Sequence, residues 1–142
     1  MRRYLLDTNA AGDYINRRYG IRDRAISEVL HGNRLGICCP VLGELWFGVE
    51  NGGNRERNRQ RLLLAVADWT LWPFDVNAAK EYGRLATLLK RAGRIIEQID
   101  IQLSAIALTL GNCTVVTNDN DLFSVPGLTV ENWRVESEGK PA

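Results

Sequence analysis

Short apolar runs alternate with longer segments of helical periodicity along this chain. Tyr4-Leu5-Leu6 is one such run. It ends at Asp7-Thr8-Asn9, which predicts a buried strand followed by a helix reaching about Asn16. A second helix is expected over about Arg22–Leu30, stopped by His31-Gly32-Asn33. Leu35–Cys39 reads as a strand, and Pro40 suits the first turn of a helix carrying Gly43-Glu44-Leu45-Trp46-Phe47. Gly52-Gly53 breaks the chain before a long helix over Arg55–Ala67, charged first and apolar later. Trp69–Phe74 is a strand candidate weakened by Pro73. Asp75 stands where it would cap a periodic helix, Val76–Ala92, with Ala79, Tyr82, Leu85, Ala86 and Leu89 on one face. A helix over Gln98–Leu110 stops at Gly111, Cys113–Thr117 is a β-branched strand, and Leu128–Val130 is a candidate edge strand. Strands alternating with helices predict an α/β fold with a central, mainly parallel sheet covered on both faces. Ligands of such sheets bind beyond the carboxyl ends of the strands.

Composition narrows the function classes. The 142 residues fit one domain, and 45% hydrophobic with 25% charged residues is ordinary for a globular chain, which excludes disorder as the main state. Eighteen basic residues against 17 acidic ones give a net charge of +1, so the surface as a whole is not a magnet for nucleic acid, although a local basic patch remains open. Only Lys80, Lys90 and Lys140 are lysines; the other basic residues are arginines, which fork onto phosphates and carboxylates. Three cysteines make no disulfide framework and no zinc-ribbon spacing, and both cysteine-bearing stretches read as buried strands in which Cys acts as a small hydrophobe. The N-terminus lacks the apolar region of a signal peptide and no run of 18 apolar residues exists, so the expectation is a cytoplasmic protein with no membrane partner.

The candidate chemistry is carboxylate chemistry. Asp7 follows an apolar strand, where alone it would read as a helix N-cap. Glu44 lies early in a helix, where an acid commonly faces the helix dipole. Asp100 sits near the start of a helix whose other residues are mostly apolar or small, and isolated buried charge is costly. Asp119 and Asp121 fall in a turn-rich segment where Asp often bonds its own backbone. If the strand order brings the first and last long strands together, Asp7 and Asp119 meet at one crevice that Glu44 and Asp100 can join. Crowded carboxylates repel unless protonated or bridged by cations. An oxygen-only set suits Mg²⁺ or Mn²⁺ rather than zinc, and hard divalent ions serve displacement at phosphorus.

Other chemistries have less support. His31 is the only histidine, which argues against paired-His ribonuclease chemistry and against a Ser-His-Asp triad; it reads as a helix-end residue. No Walker-type phosphate loop and no G-x-G-x-x-G follows a strand. A phospho-receiver module would need an acceptor Asp after a central strand and a Lys after the last strand, yet no Lys lies between Lys90 and Lys140. A phosphotransferase of the Asp-x-Asp-x-Thr type meets Asn9 at its second Asp position.

Four segments in order carry a resemblance: Leu5-Leu6-Asp7-Thr8-Asn9, Gly43-Glu44-Leu45 with Gly48, Gly93-Arg94 before Asp100, and Val116-Thr117-Asn118-Asp119. Together they resemble the PIN-domain ribonucleases. Phe123-Ser124-Val125-Pro126-Gly127-Leu128 with Glu131-Asn132-Trp133 resembles their bacterial toxin branch, the VapC toxins of VapBC toxin–antitoxin modules. The resemblance implies a PIN domain over 1–134, with 135–142 a flexible tail, and an α/β/α sandwich with Mg²⁺- or Mn²⁺-dependent endoribonuclease activity on transfer or ribosomal RNA. It implies a cognate antitoxin through which alone operator DNA would be bound, and a homodimer. Position by position, Asp7, Glu44, Asp100 and Asp119 match the family's acidic quartet, and Asn9 and Thr117 match polar residues lining the site. Asp121 is an auxiliary ligand or loop structure.

The chain departs from the family where Ile95 and Glu97 replace the Pro and second Gly of a Gly-Arg-Pro-Ile-Gly segment, and where Leu122 separates Asp121 from Phe123. Glu97 lies one turn before Asp100 and either faces the metal or serves the helix dipole. Lys90, Arg91 and Arg94 are candidate RNA-phosphate contacts, or a cationic helix end. Arg55, Arg57, Arg59 and Arg61, at spacing two, read as a solvated helix face. Trp46 and Phe47 belong to the core or to a groove where an antitoxin segment would lie. A PIN nuclease of RNA maturation or DNA structure, and a domain that only binds partners, are the alternatives.

Overall fold

The computed structural model describes residues 1–135. Five strands, β1 (Arg3–Leu6), β2 (Arg34–Cys38), β3 (Thr70–Trp72), β4 (Cys113–Val116) and β5 (Thr129–Glu131), form one sheet in the order β3-β2-β1-β4-β5. Every neighbouring pair is parallel. The described helices are α1 (Thr8–Ile15), α2 (Ile21–Leu30), α3 (Cys39–Asn51), α4 (Arg55–Asp68), α5 (Val76–Arg91), α6 (Gln98–Leu110) and the single turn α7 (Asn120–Phe123). They flank the sheet as an α/β/α sandwich, the arrangement expected from the alternating pattern.

Parallel strands covered on both faces need unbroken apolar runs. β1, β2 and β4 supply them, with Leu5, Leu6, Ile37, Val115 and Val116 shut off from solvent. Gly36 interrupts the run in β2 for a steric reason: a Cβ there would stand 1.8 Å from the Thr70 carbonyl oxygen, so β2 and β3 approach this closely only over glycine.

The register places the site. Leu6 pairs with Val116, so β1 and β4 end level and Asp7 and Thr117 emerge side by side. The chain steps outward from β1 through β2 to β3, then returns through α5 and α6 to lay β4 against the other side of β1. That reversal makes the β1/β4 junction the topological switch point, where α/β sheets open a crevice at their carboxyl ends.

Several local expectations change. Cys38 is buried and Cys113 half-buried, and burial pushes both thiols up to about 12. Cys39, expected in the same buried strand, is exposed as the first residue of α3, because Pro40 already sits in that helix's first turn. On α5 the buried stripe is Ala78, Leu85 and Leu89; Ala79 is exposed, because packing against α6 sets the face one position earlier. Asp75 caps α5 by accepting from the Ala78 N–H at 2.8 Å. His31 closes α2 with its Nδ1 2.7 Å from the Ser27 carbonyl. The predicted tail, 135–142, lies outside the described residues except for Val135, whose N–H donates to the Tyr19 carbonyl at 2.9 Å. Just before it, Trp133 packs on Tyr4 with ring centroids 5.0 Å apart, and Arg134 donates to buried Asp13 at 3.0 Å. Among the described residues no helix is long and apolar enough to cross a membrane.

Candidate active site

Asp7 is both a helix cap and a buried carboxylate. One oxygen accepts from the Ala10 N–H at 2.8 Å, starting α1, and the other accepts from the Thr117 hydroxyl. With 4% of its surface exposed, the side chain depends on those donors. Burial raises its pKa; Thr117 and the Ala10 N–H pull it down, and the charges of Asp119 and Asp13 push it up again. The Thr117 oxygen also accepts from the Asp119 N–H at 2.9 Å, so one hydroxyl joins the end of β1 to the loop carrying Asp119. Asp119 then caps α7 by accepting from the Asp121 N–H at 2.9 Å.

Asp100, in the first turn of α6, is half-buried. Burial comes first, then the charges of Asp7, Asp119, Glu97 and Glu44, and together they push its carboxyl up to about 7. The structure therefore places Asp7, Glu44, Asp119 and Glu97 within electrostatic reach of Asp100. They stand apart as like charges do: among the described residues no three Asp, Glu, His or Cys side chains form a ready-made metal cage. Glu44, on α3, is oriented by the Thr8 hydroxyl, which donates to its Oε1. Glu97 occupies the N-cap position of α6 without a capping bond and is exposed.

Around this centre the remaining candidates fall at different distances from the chemistry. Asn9 is exposed on the first turn of α1. Asp121 is exposed, and it gives Asp119 its backbone N–H rather than its carboxylate. Leu122, the extra residue, is fully buried and anchors α7. Lys90 and Arg91 end α5 in solvent. Arg94 reaches across to the Ser124 hydroxyl, which donates at 2.7 Å to the Asp121 carbonyl, so the loop before α6 is tied to α7. Thr8 and Ser124 were not singled out in the sequence; Thr8 directly follows Asp7, but its partner Glu44 lies 36 positions away on another helix.

Residues 4–128 match the PIN domain. The chain belongs to the PIN-domain family. Among its relatives, Ribonuclease VapC2 of Rickettsia felis is 30% identical over 131 residues, covering 92% of this PIN domain chain and 97% of that protein. The tRNA(fMet)-specific endonuclease VapC of Salmonella typhimurium is 28% identical over 134 residues, covering 94% and 99%. In three dimensions the PIN domain is similar to a chain of the VapBC2 structure from Rickettsia felis bound to a DNA fragment from their promoter, with a TM-score of 0.86, 28% identity and coverage of 92% and 98%. This PIN domain is of the VapC type.

Proposed function

We propose that this PIN domain is the endoribonuclease toxin of a toxin–antitoxin module, cleaving RNA phosphodiester bonds at the carboxylate cluster beyond β1 and β4. The observation that carries the reading is the level ending of β1 and β4, which joins Asp7 and Asp119 through the Thr117 hydroxyl, with Asp100 nearby, its carboxyl pushed up to about 7 by burial and by the charges of Asp7, Asp119, Glu97 and Glu44. Such an oxygen-only set fits a hard divalent cation, Mg²⁺ or Mn²⁺, better than a soft one. Asp7, Glu44, Asp100 and Asp119 would hold it, with Asn9, Thr117, Asp121 and Glu97 as auxiliary groups. When bound, the ion would supply Lewis acidity, lowering the pKa of water and offsetting charge that builds on phosphate.

The chain's own residues prepare that chemistry. Thr117 and the Ala10 N–H each hold one oxygen of Asp7, fixing its carboxylate at the end of β1. Thr8 sets the rotamer of Glu44. Arg94, Arg91 and Lys90 would contact RNA phosphates and fix register without reading sequence. The substrate would be transfer or ribosomal RNA; transfer RNA is the one supported by a relative's name, a tRNA(fMet)-specific endonuclease. A protein antitoxin partner is supported by the similarity to a chain of a VapBC complex on promoter DNA, which this chain would reach only through the antitoxin. Exposed Phe47 and half-buried Trp46, close in sequence to Glu44, suit a groove for that partner. A homodimer completes the proposal.

Expression in a bacterial host tests it. Wild type is expected to arrest growth and leave discrete RNA fragments, whereas Asp7→Asn does neither. Unimpaired growth with intact RNA from well-expressed, folded wild type would contradict the reading.

A further inference from the structure

The row Arg55, Arg57, Arg59, Arg61 is divided by the fold. Arg55 pairs with Glu50 at 3.2 Å and Arg59 with Glu56 at 3.6 Å, out in solvent. Arg57 and Arg61, one turn apart, instead line a cavity of about 350 Å³ at the far end of α1, together with Arg17 and Arg22. Among the described residues none of these four guanidiniums has a carboxylate within ion-pair distance; Asp68 is the one acid in the lining. Arg61 caps the end of α1 through the Ile15 carbonyl at 3.3 Å and Asn16 Oδ1 at 2.9 Å, and Arg22 lies over the Tyr14 ring at 5.9 Å. Arg17 adopts a left-handed φ of +54° in the turn between α1 and α2, as Tyr19 does at +56°. Two like charges one turn apart weaken α4. Four forked cations against one acid is a surface that lacks its counter-ion.

This cleft adjoins a second one along the same helix. A second, more apolar cavity, lined by Leu45, Gly48 and Leu62, shares Ile15, Asn16 and Arg61 with the first and lies along α1 and α3. Glu44 stands next to Leu45 in α3, and eight-residue α1 runs from Asp7 to the arginines, about 12 Å. We propose that this groove is a track for the RNA backbone: Arg17, Arg22, Arg57 and Arg61 grip phosphates about one short helix from the carboxylates and set the strand's course across them. The proposal rests on the ribonuclease reading for its biological meaning but not for its test. Guanidiniums match phosphate in geometry as well as charge, and such contacts position a strand without reading its sequence.

The test is binding of fluorescein-labelled bulk transfer RNA in EDTA, where cleavage is suppressed, across a salt series. Arg17→Gln/Arg57→Gln is compared with Arg55→Gln/Arg59→Gln, and thermal melts establish that all are folded; Arg61 is left in place because it caps α1. The cleft variant is expected to bind about tenfold more weakly, with a log–log salt slope shallower by about 1.4 for two lost phosphate contacts, while the Arg55/Arg59 control matches wild type. Wild-type affinity and slope in the cleft variant would overturn the proposal. So would unchanged RNA binding with loss of a cognate protein partner, which would make the groove a protein site. If wild type binds RNA through the cleft yet cleaves none with Mg²⁺ or Mn²⁺, the track stands and the ribonuclease reading fails.

Discussion

The Thr117 hydroxyl donates to the Asp7 carboxylate and accepts from the Asp119 N–H at 2.9 Å, joining two strand ends that lie 110 positions apart in sequence. Both residues are buried, so each loses water it would otherwise bond, and the hydroxyl replaces it. The bond follows from register: only because β1 and β4 end level at Leu6 and Val116 do Asp7 and Thr117 meet.

Thr117→Val removes the donor to Asp7 and the acceptor for Asp119 while keeping the shape. Leaving a buried carboxylate one donor short is expected to cost about 1–3 kcal/mol in urea unfolding at pH 7. Thr117→Ser, which keeps the hydroxyl, is expected to recover most of that loss. Equal stability for Val and Ser would show that the hydroxyl does not hold the strand ends.

Asp100 ties stability to pH. Its folded-state carboxyl is raised from 3.8 to about 7, by burial first and then by neighbouring acids. The folded protein therefore keeps this proton where the unfolded chain has lost it. The stabilising contribution is full below about pH 4 and is lost as pH rises through about 7. For a half-exposed group, screening reduces the effect to about 1–2 kcal/mol. Metal-free Asp100→Asn is thus expected to be more stable than wild type at pH 8 by that amount, and equal to it near pH 4. Added Mg²⁺ is expected to raise the wild-type melting temperature at pH 8 and leave the variant unmoved. Melts showing the variant less stable at pH 8 would contradict this.

Arg134→Ala leaves Asp13, 7% exposed, without its 3.0 Å partner and strips the cation from the Tyr19 ring 4.2 Å away. The expected loss is about 2–3 kcal/mol, below the range for a fully buried pair because the arginine is partly in water. Denaturant unfolding at neutral pH measures it; a change under about 0.5 kcal/mol, the scale of an ordinary surface substitution, would show the C-terminal strap to be idle.

Gly36→Ala places a methyl 1.8 Å from the Thr70 carbonyl oxygen, so β3 must separate from β2. Loss of soluble, cooperatively folding protein is expected, read by expression and circular dichroism. A native-like melt would mean that β3 is not held at this spacing.

Much of the fold was legible because parallel strands advertise themselves. Tyr4-Leu5-Leu6, Leu35–Cys38 and Cys113–Val116 are unbroken apolar runs, and Asp7 and Asp75 are side-chain caps where the pattern put them. The single turn α7 was invisible because four residues carry no periodicity. Ala79 falls on the apolar face by periodicity yet is exposed, because periodicity gives a stripe's width, whereas its phase depends on where α6 lies. In the acidic centre, the residue types and the strand-end rule brought out Asp7 and Asp119, which the structure sets beside the same threonine. What sequence could not carry were bonds between distant elements: Thr8 to Glu44, Arg94 to Ser124, and the split of an evenly spaced arginine row into two paired and two unpaired members.

The central claim is that purified protein cleaves RNA only with a divalent cation held by these carboxylates. Total bacterial RNA incubated with wild type, Asp7→Asn and Asp100→Asn, each with Mg²⁺, with Mn²⁺ and with EDTA, addresses it directly. The account predicts discrete fragments from wild type with either ion, none in EDTA, and none from either variant although both remain folded. Cleavage that persists in EDTA or in the folded variants, or none from antitoxin-free wild type with either ion, would contradict it.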